Sequence, residues 1–511
     1  MRPEVETRRS FRGLAAALAL ATMWIGTAVA AQGPAPAVPP PPGLDTPPAA
    51  NGPRLSLSLA DAVFIGLRDN RQLKSAYLSR AAEKYDLFVA KTRFLPRGSI
   101  EAQADWARTS GVDSSSTLIS PGGAWLVPTG AQFQFGWTRA ELKDQGPSRG
   151  ADTASLSVTQ PLLRGGGIAV NTAPLTQAVL QERINRLQLK AAASNTLAGI
   201  VLAYRNLLQA QEQLVIARQS LDRSQDQLRT NQALIEAGRM AAAEIVQTQA
   251  DIANQQVALL AAEQQKNTAQ LSLLSLLAMD LHTDVVAIDE PEPRRQVIDL
   301  NQAIAVAMDN RPDYLSQKHA LEQARQTLIV ARNAQLWDLS VGASVQRQTP
   351  RGGGGVTIDP VTGAPIPVAN LPGGTDSRVG VRLSIPLGDF SIRQQEIRAS
   401  TAVSIQENQL EDQRQRIEAE VRDAVQGVEL AWRRLETARL ARDLAARSLD
   451  IARAKLQVGR TSNFEVLSFE TSLRSAETQA LGAEISYLNT LTSLDLRLGT
   501  TLDTWKIALR D

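Results

Sequence analysis

Large apolar residues recur every seven positions at Ile200, Leu207, Leu214, Leu221, Leu228 and Ile235. A second stripe of small residues runs three positions later, through Ala203, Ala210, Ala217, Ser224 and Asn231. A shift of 221 residues carries the first stripe onto Val421, Val428, Leu435, Arg442, Leu449 and Leu456, with only Arg442 breaking the match. The same shift carries the second onto Ala424, Ala431, Ala438, Ala445 and Ala452. Heptads of alternating large and small residues predict coiled-coil seams with close helix approach. Two copies in one register predict two equivalent hairpins of long helices. The long helices are expected from about Thr176 to Glu236 and from about Ile392 to Gln457, each roughly 90 Å long at 1.5 Å per residue. Gly238 and Gly459 end them, and return helices run to about Ala278 and Leu498. The corners match as well: Ala237-Gly238-Arg239 then Glu244-Ile245-Val246, and Val458-Gly459-Arg460 then Glu465-Val466-Leu467.

Upstream of each hairpin the pattern also repeats. Leu59-Ala60-Asp61-Ala62-Val63, Leu67 and Asn70 align with Leu300-Asn301-Gln302-Ala303-Ile304, Met308 and Arg311-Pro312. Helical patterns follow to about Phe94 and Leu336. The period then falls to two. Ile100, Ala102, Ala104 and Trp106 alternate with Glu101, Gln103 and Asp105, and Ala154, Leu156 and Val158 alternate with Ser155, Ser157 and Thr159. In the second half Leu339, Val341, Ala343 and Val345, then Val379, Val381, Leu383 and Ile385, alternate with polar or small neighbours. Such alternation predicts strands with one apolar face, two per half. It fits a soluble sandwich or a transmembrane barrel. Each second strand ends at a proline, in Gln160-Pro161-Leu162 and Ile385-Pro386-Leu387, followed by glycines that allow a sharp change of direction. Loops rich in Gly, Pro and Ser are expected over 109–152 and about 347–377. Phe133, Phe135 and Trp137 alternate inside the first loop, either as an extra hairpin arm outside the membrane or as a replacement for a chosen strand. The run Gly352 to Gly355 lacks the Lys-Ser or Lys-Thr of a phosphate loop.

The amino terminus changes the balance between sandwich and barrel. Arg2, Arg8, Arg9 and Arg12 precede an apolar run from Gly13 to about Ile25, and Ala28-Val29-Ala30 fits a signal-peptidase site, so 1–30 is expected to be an export signal. Thr7-Arg8-Arg9-Ser10-Phe11 also resembles a twin-arginine signal, although an ordinary basic flank explains it. Residues 31–54, with Pro39 to Pro42 uninterrupted, are expected to form an extended linker. The chain has no cysteine, so neither a disulfide nor a lipid-anchored amino terminus is available. Lys and Arg number 54 against 52 Asp and Glu, so no nucleic-acid footprint is visible. No later run is apolar for the roughly 20 residues a membrane helix needs, so any insertion must use strands. The halves divide at 55–290 and 291–511. His282 and His319, the only histidines, have no zinc-like spacing, and no catalytic constellation or cofactor site is expected.

The doubled order of these signals resembles the TolC-type outer-membrane efflux proteins. The resemblance rests on the Leu-x-x-Ala openings at 59 and 300, the strand–Pro–Leu junctions at Pro161 and Pro386, and the Gly-Arg corners at 238 and 459, and covers Leu55 to Gly499. It implies a mainly helical fold with a small β part and a homotrimer. Three chains of four strands would close a twelve-stranded outer-membrane barrel, continued by a periplasmic coiled-coil cylinder. It implies a passive duct served by a periplasmic adaptor and an inner-membrane transporter, carrying small toxic molecules or, as in type I secretion, polypeptides. Four strands alone cannot close a barrel, and open edges are not viable in lipid, so oligomerisation follows from strand count. The rival is a non-conducting periplasmic coiled-coil tether, which explains the heptads but not the strands.

By the same resemblance the corners form the periplasmic entrance. Glu244 and Glu465, each six residues past its glycine, would set six carboxylates around a threefold axis, a cation-selective ring. The alternative is a pair of surface glutamates. Gly238, Arg239, Val458, Gly459 and Arg460 would be hinge and adaptor-docking residues. The family's second acidic position falls on Ser468, and its tyrosine and arginine latch falls on Leu456 and Thr461. A closed state would therefore need other contacts, for which Leu456 and Phe464 are the candidates.

Overall fold

The computed structural model describes residues 55–109, 112–144, 146–352, 355–358, 365–368 and 373–509. The expected signal and linker lie outside the described residues. In chain order the elements are β1 (Leu55–Leu57), α1 (Leu59–Asp69), α2 (Arg71–Lys91), β2 (Arg97–Thr109), β3 (Val112–Leu126), β4 (Gln132–Lys143) and β5 (Arg149–Pro161). The first hairpin follows as α3 (Ile168–Glu236) and α4 (Glu244–Leu277). Then come β6 (Val285–Ala287), α5 (Leu300–Asn310), α6 (Pro312–Ala334), β7 (Asp338–Gly352), β8 (Gly355–Ile358), β9 (Pro365–Val368) and β10 (Gly374–Ser384). The second hairpin, α7 (Phe390–Gln457) and α8 (Asn463–Leu498), and a short α9 (Thr501–Thr504) complete the chain.

Both opening helices start on a polar cap. Ser58 and Asp61 form a reciprocal capping box on α1, and Asp299 accepts from the Gln302 amide at 2.8 Å on α5. Each opening pattern is then interrupted. Asn70 leaves helical geometry and caps α2 through the Leu73 amide at 3.0 Å; Arg311 also leaves helical geometry but offers no side-chain cap, and α6 starts with Pro312 at its first position. Gly66 lets α1 press onto α3, because a Cβ there would stand 2.3 Å from Ile200 Cδ1.

α3 and α7 hold 69 and 68 residues, which makes each roughly 100 Å long. α3 begins at Ile168, earlier than expected, and carries Pro174 within its second turn. At the seventh position this proline lies past the four amides that lack partners, so it removes the bond to Val170 O, yet the helix runs on through it. The main core gathers Ile200, Tyr204, Leu207, Leu273, Leu274 and Leu277 with Val285 and Leu502. Two further clusters serve the second half: Val428, Leu435 and Tyr487 join α7 to α8, and Ile417 and Val421 of α7 pack with Ala303, Ala307 and Tyr314 of α5 and α6.

The strand count departs from the expected four. One antiparallel sheet holds six strands in the order β10-β7-β5-β4-β3-β2. β3 and β4 come from the segment expected to be a loop. They neither stand apart as an arm nor replace a strand; they insert between β2 and β5 and are paired along their length on both sides. The alternation that marks a strand is weak in β3, where Ser, Thr and Gly occupy both faces.

Register places a band of apolar residues on one face of the sheet, beyond which the same face carries Arg139, Glu141, Asp152 and Arg347. Residues opposite one another in adjacent strands share a face. Ala102 faces Ile119, Phe133 faces Val158, Phe135 faces Leu156, Leu156 faces Val345, and Val341 faces Val381. Ile100, Trp106, Phe135, Trp137, Leu156, Val345, Val379 and Val381 on this face are exposed. The opposite face carries Glu101, Gln103, Ser116, Gln134, Thr138, Ser155, Ser157, Ser344, Gln346, Arg378 and Arg382. Apolar Leu118, Ala140 and Leu142 on that polar side are buried together with Val356 of β8, so the β8–β9 hairpin covers them.

Candidate functional site

The two hairpin corners are built alike. Gly238 and Gly459 have φ of 71° and 70°, the left-handed conformation that any other residue adopts at a cost of about 1–2 kcal/mol. Arg239 N donates to Leu234 O at 2.8 Å, and Arg460 N donates to Lys455 O at 2.9 Å. Each bond runs from the third residue past the helix to its final turn and satisfies a carbonyl that would otherwise lack a donor. Gly238, Arg239, Val458, Gly459 and Arg460 are all exposed. Arg239 also joins the corners, since its guanidinium donates to Gln457 O at 3.1 Å.

The two glutamates stand in different surroundings. Glu465 lies in the first turn of α8, which Ser462 caps by accepting from the Glu465 amide at 3.3 Å. Its exposed carboxylate accepts from the Thr461 hydroxyl. Glu244 opens α4 after Ala243, which offers no side-chain cap. It is half-buried, and its Oε2 is buried without a hydrogen-bond partner. Both carboxylates sit at helix amino termini, where the aligned peptide dipoles favour negative charge. Leu456 and Phe464 are not brought together within one chain. Leu456 is buried against Leu449, Ala452, Val466 and Leu473, while Phe464 is 67% exposed. Phe469 takes the flanking place in that cluster instead.

Behind the corners lies a polar cluster that the heptad pattern did not point to. Asn231 Nδ2 donates to Thr248 Oγ1 at 2.8 Å and to Asn463 Oδ1 at 2.9 Å. Gln227 Nε2 donates to Asn231 Oδ1 at 2.8 Å, and Asn463 Nδ2 donates to Thr248 Oγ1 at 3.2 Å. All four side chains are buried. Two turns further up, Arg223 pairs with Glu470 and, at 3.3 Å, with Glu477, and Arg453 reaches Glu470 at 2.9 Å. Both groups cross from the first hairpin to the second. Asn231 in the small-residue stripe, where its counterpart is Ala452, is the one sequence signal that a polar contact was there.

At the far end of each hairpin the strand–helix junctions differ in detail. Pro161 is the last residue of β5, opposite Ser340, and the glycines that follow lead directly into α3. Pro386 lies two residues beyond β10, after which Asp389 caps α7 by accepting from the Ser391 amide at 3.0 Å. The β3–β4 turn is tied to the first junction: Gly167 N donates to Thr129 O at 3.1 Å, and the Thr129 hydroxyl donates to Gln160 Oε1 at 3.1 Å. Among the described residues no helix is long and apolar enough to cross a membrane, and no cluster of acidic or histidine side chains could hold a metal ion.

Comparison with known proteins places this architecture. The chain is 24% identical over 349 residues to the outer membrane efflux protein BepC of Brucella suis, covering 66% of this chain and 69% of that one. Its fold resembles the Campylobacter jejuni CmeC outer membrane channel, with a TM-score of 0.64, 16% identity and 88% of each chain covered. It resembles the Vibrio cholerae outer membrane protein VceC equally, with a TM-score of 0.64, 15% identity, and 86% of this chain and 96% of that one covered. The outer membrane efflux protein family model matches residues 66–279 and 303–500, which take in both hairpins and all six strands of the sheet, and the chain therefore belongs to that family.

Proposed function

We propose that three copies of this chain form the exit duct of a tripartite export system, passing cargo from a periplasmic adaptor and inner-membrane transporter to the exterior. The family places the protein in the outer membrane as an efflux channel rather than an enzyme. The observation that carries the duct reading is the direct join between two parts of different character. A sheet with an exposed apolar face runs, through Pro161 and Pro386, into helices roughly 100 Å long that end at two matched corners. A lipid-facing wall and a periplasmic conduit need that combination.

Two unpartnered apolar stripes support self-association. Val246, Val257, Leu260 and Leu271 on α4, and Leu440, Leu444 and Ile451 on α7, are exposed along the helices. Their spacings of three, four, seven and eleven keep each set near one side of its helix, where a neighbouring copy would bury it. Outer-membrane lipid would cover the sheet's apolar face, and the exposed corner residues would meet the adaptor. Glu244 and Glu465 would line the periplasmic entrance. Cargo selection would lie upstream, in the transporter, for small toxic molecules and polypeptides alike.

Single-channel recording of purified protein in a planar bilayer tests the reading, together with mass measurement in detergent. Discrete conductance steps from a particle of three mature chains are expected. A particle that never conducts would instead be a periplasmic tether.

A further inference from the structure

We propose that all six strands of each chain stand in the membrane wall, so that three copies close an eighteen-stranded barrel with a wider outer lumen than four strands per chain would give. The inference rests on the duct reading above and concerns how the duct is built at its outer end.

Three observations place β3 and β4 in the wall. First, the apolar face does not skip them. Trp125 of β3 opposes Phe133 of β4, whose row runs on through Val158 in β5, Ala343 in β7 and Val379 in β10, and Phe135 opposes Leu156 and then Val345; nearer the outer end of the same face Ile119 opposes Arg139, which pairs with Asp152. A hairpin standing in water outside the barrel has no reason to align its aromatic residues with the lipid-facing rows of its neighbours. Second, both inserted strands span the sheet. β3 pairs with β2 from Arg97↔Ala124 to Thr109↔Val112, and β4 pairs with β5 from Gln132↔Thr159 to Leu142↔Arg149. Third, their turn is fastened at the periplasmic end of the strands by the Thr129 bonds to Gly167 and Gln160, and Trp125 Nε1 donates to Phe94 O at 2.8 Å just before β2.

The edges fit closure by further copies of the chain. β2 and β10 are the two outer strands, and each has an unpaired edge in the single chain. Within the sheet every pairing is antiparallel, and six is even, so β10 of one copy meets β2 of the next in antiparallel sense. Open edges of this length are not viable in a bilayer. With strands about 4.8 Å apart and tilted by about 40°, an eighteen-stranded wall has a backbone diameter of roughly 36 Å, against roughly 24 Å for twelve strands. The polar inner face would therefore enclose an aqueous lumen of porin width, into which the β8–β9 hairpin folds against Leu118, Ala140 and Leu142.

The absence of native cysteine makes the test clean. Single variants Phe135→Cys, Trp137→Cys, Gln134→Cys and Thr138→Cys are reconstituted in lipid vesicles and exposed to a membrane-impermeant maleimide. Labelling of the Gln134 and Thr138 positions, at least tenfold faster than of the Phe135 and Trp137 positions, is expected. Equal, rapid labelling of all four places the hairpin in water and overturns the inference. A second measurement does not depend on the aromatic residues: Gln103→Cys with Ser155→Cys joins β2 to β5. These strands are adjacent only if β3 and β4 have left the wall, so oxidation within one chain overturns the inference and its failure supports it. Gln103→Cys combined in turn with Gly380→Cys, Arg382→Cys and Ser384→Cys should give at least one pairing that links chains into a covalent trimer. A trimer that conducts but joins β2 to β5 sinks the six-strand wall alone. A chain that measures as a monomer sinks the duct reading and this inference with it.

Discussion

The tips of the two hairpins share a corner and differ in what lies beneath it. Under Gly459 the second hairpin is apolar: Leu449, Ala452, Leu456, Val466 and Leu473 are buried together. Under Gly238 the first is polar: Ser220, Ser224, Gln227, Asn231, Thr248 and Gln255 are buried, while Leu221, Leu228 and Ile235 are only half-buried. Apolar burial is non-directional and tolerates small shifts of one helix along another. Buried amides and hydroxyls stabilise only one arrangement, because a lost partner costs about 1–3 kcal/mol. The first tip thus depends on where the second hairpin places Asn463, whereas the second tip is held mainly by its own apolar side chains, with Leu234 and Met240 of the first hairpin packed against them.

The largest expected effect separates equivalent positions of the two stripes. Leu449 is 2% exposed, and Leu228, 221 residues earlier, is half-buried. Leu449→Asp should cost several kcal/mol by stranding a charge in an apolar cluster. Leu228→Asp should cost much less. Heat-dissociation of the detergent-solubilised assembly reads both, and equal losses would mean that the tips do not differ as described.

A smaller loss is expected within the polar tip. Asn231→Ala removes the group that bonds Thr248 and Asn463 and should cost about 1–3 kcal/mol. Ala452 occupies the matching place in the second hairpin, so Ala452→Ser should be tolerated only if a partner lies nearby. In a double-mutant cycle, Asn231→Ala and Asn463→Ala should couple by at least about 0.5 kcal/mol. Additive losses would show that the bond between hairpins contributes nothing.

The opening helices provide the same contrast at another corner, and a pH test for it. Asn70 turns the first neutrally, donating to Leu276 O at 2.9 Å. Its counterpart Arg311 pairs with Asp313 at 2.6 Å and Glu420 at 2.7 Å. Burial works to raise the Asp313 carboxyl, but the Arg311 hydrogen bond and charge, with backbone donors, outweigh it and hold it below the usual carboxylate range. A depressed folded-state pKa contributes stability that is present above the unfolded value and lost as pH falls through the folded one. Wild type should lose more thermal stability than Asp313→Asn between pH 5 and pH 3, roughly the range spanning ordinary carboxylate titration. Parallel curves for the two proteins would remove Asp313 from the account.

How far these contrasts were legible in sequence depended on period. The helix ends at Glu236 and Gln457 and the corners at Gly238 and Gly459 were readable because heptads and left-handed glycines are local signals. β3 was not: Ser114, Ser115, Ser116 and Thr117 give no alternation, and its pairing is set by neighbours rather than by its own pattern. Leu221 and Leu228 continued the stripe in sequence but not in burial, because Ser220, Ser224, Gln227 and Asn231 take the buried face of the helix there. Polar partners such as Asn231 and Asn463 lie 232 residues apart, and nothing local in either announces the other. Leu456 and Phe464 looked like one apolar pair, yet the cap at Ser462 starts α8 in a phase that turns Phe464 outward.

The smallest effect on stability, and the most specific one on function, is expected at the two glutamates. They repeat at one distance from their glycines but not in one environment. Glu465 accepts from Thr461 at an exposed helix start, while one Glu244 oxygen is buried without a partner. A carboxylate beside a narrow passage lowers the energy of a cation there and raises that of an anion. Glu465→Gln, at an exposed position, should change stability by less than about 0.5 kcal/mol, as surface substitutions usually do, and Glu244→Gln keeps nearly the same size while removing a charge from a half-buried site. If both line the entrance, the double variant should lose cation preference by more than either single variant, because charges in one ring act on the same ion. Reversal potentials under a salt gradient decide the matter. Unchanged selectivity in the double variant makes both glutamates surface residues. A shift from Glu465→Gln alone would confine the ring to the second hairpin, leaving Glu244 turned towards the protein and the two corners alike only in their backbone.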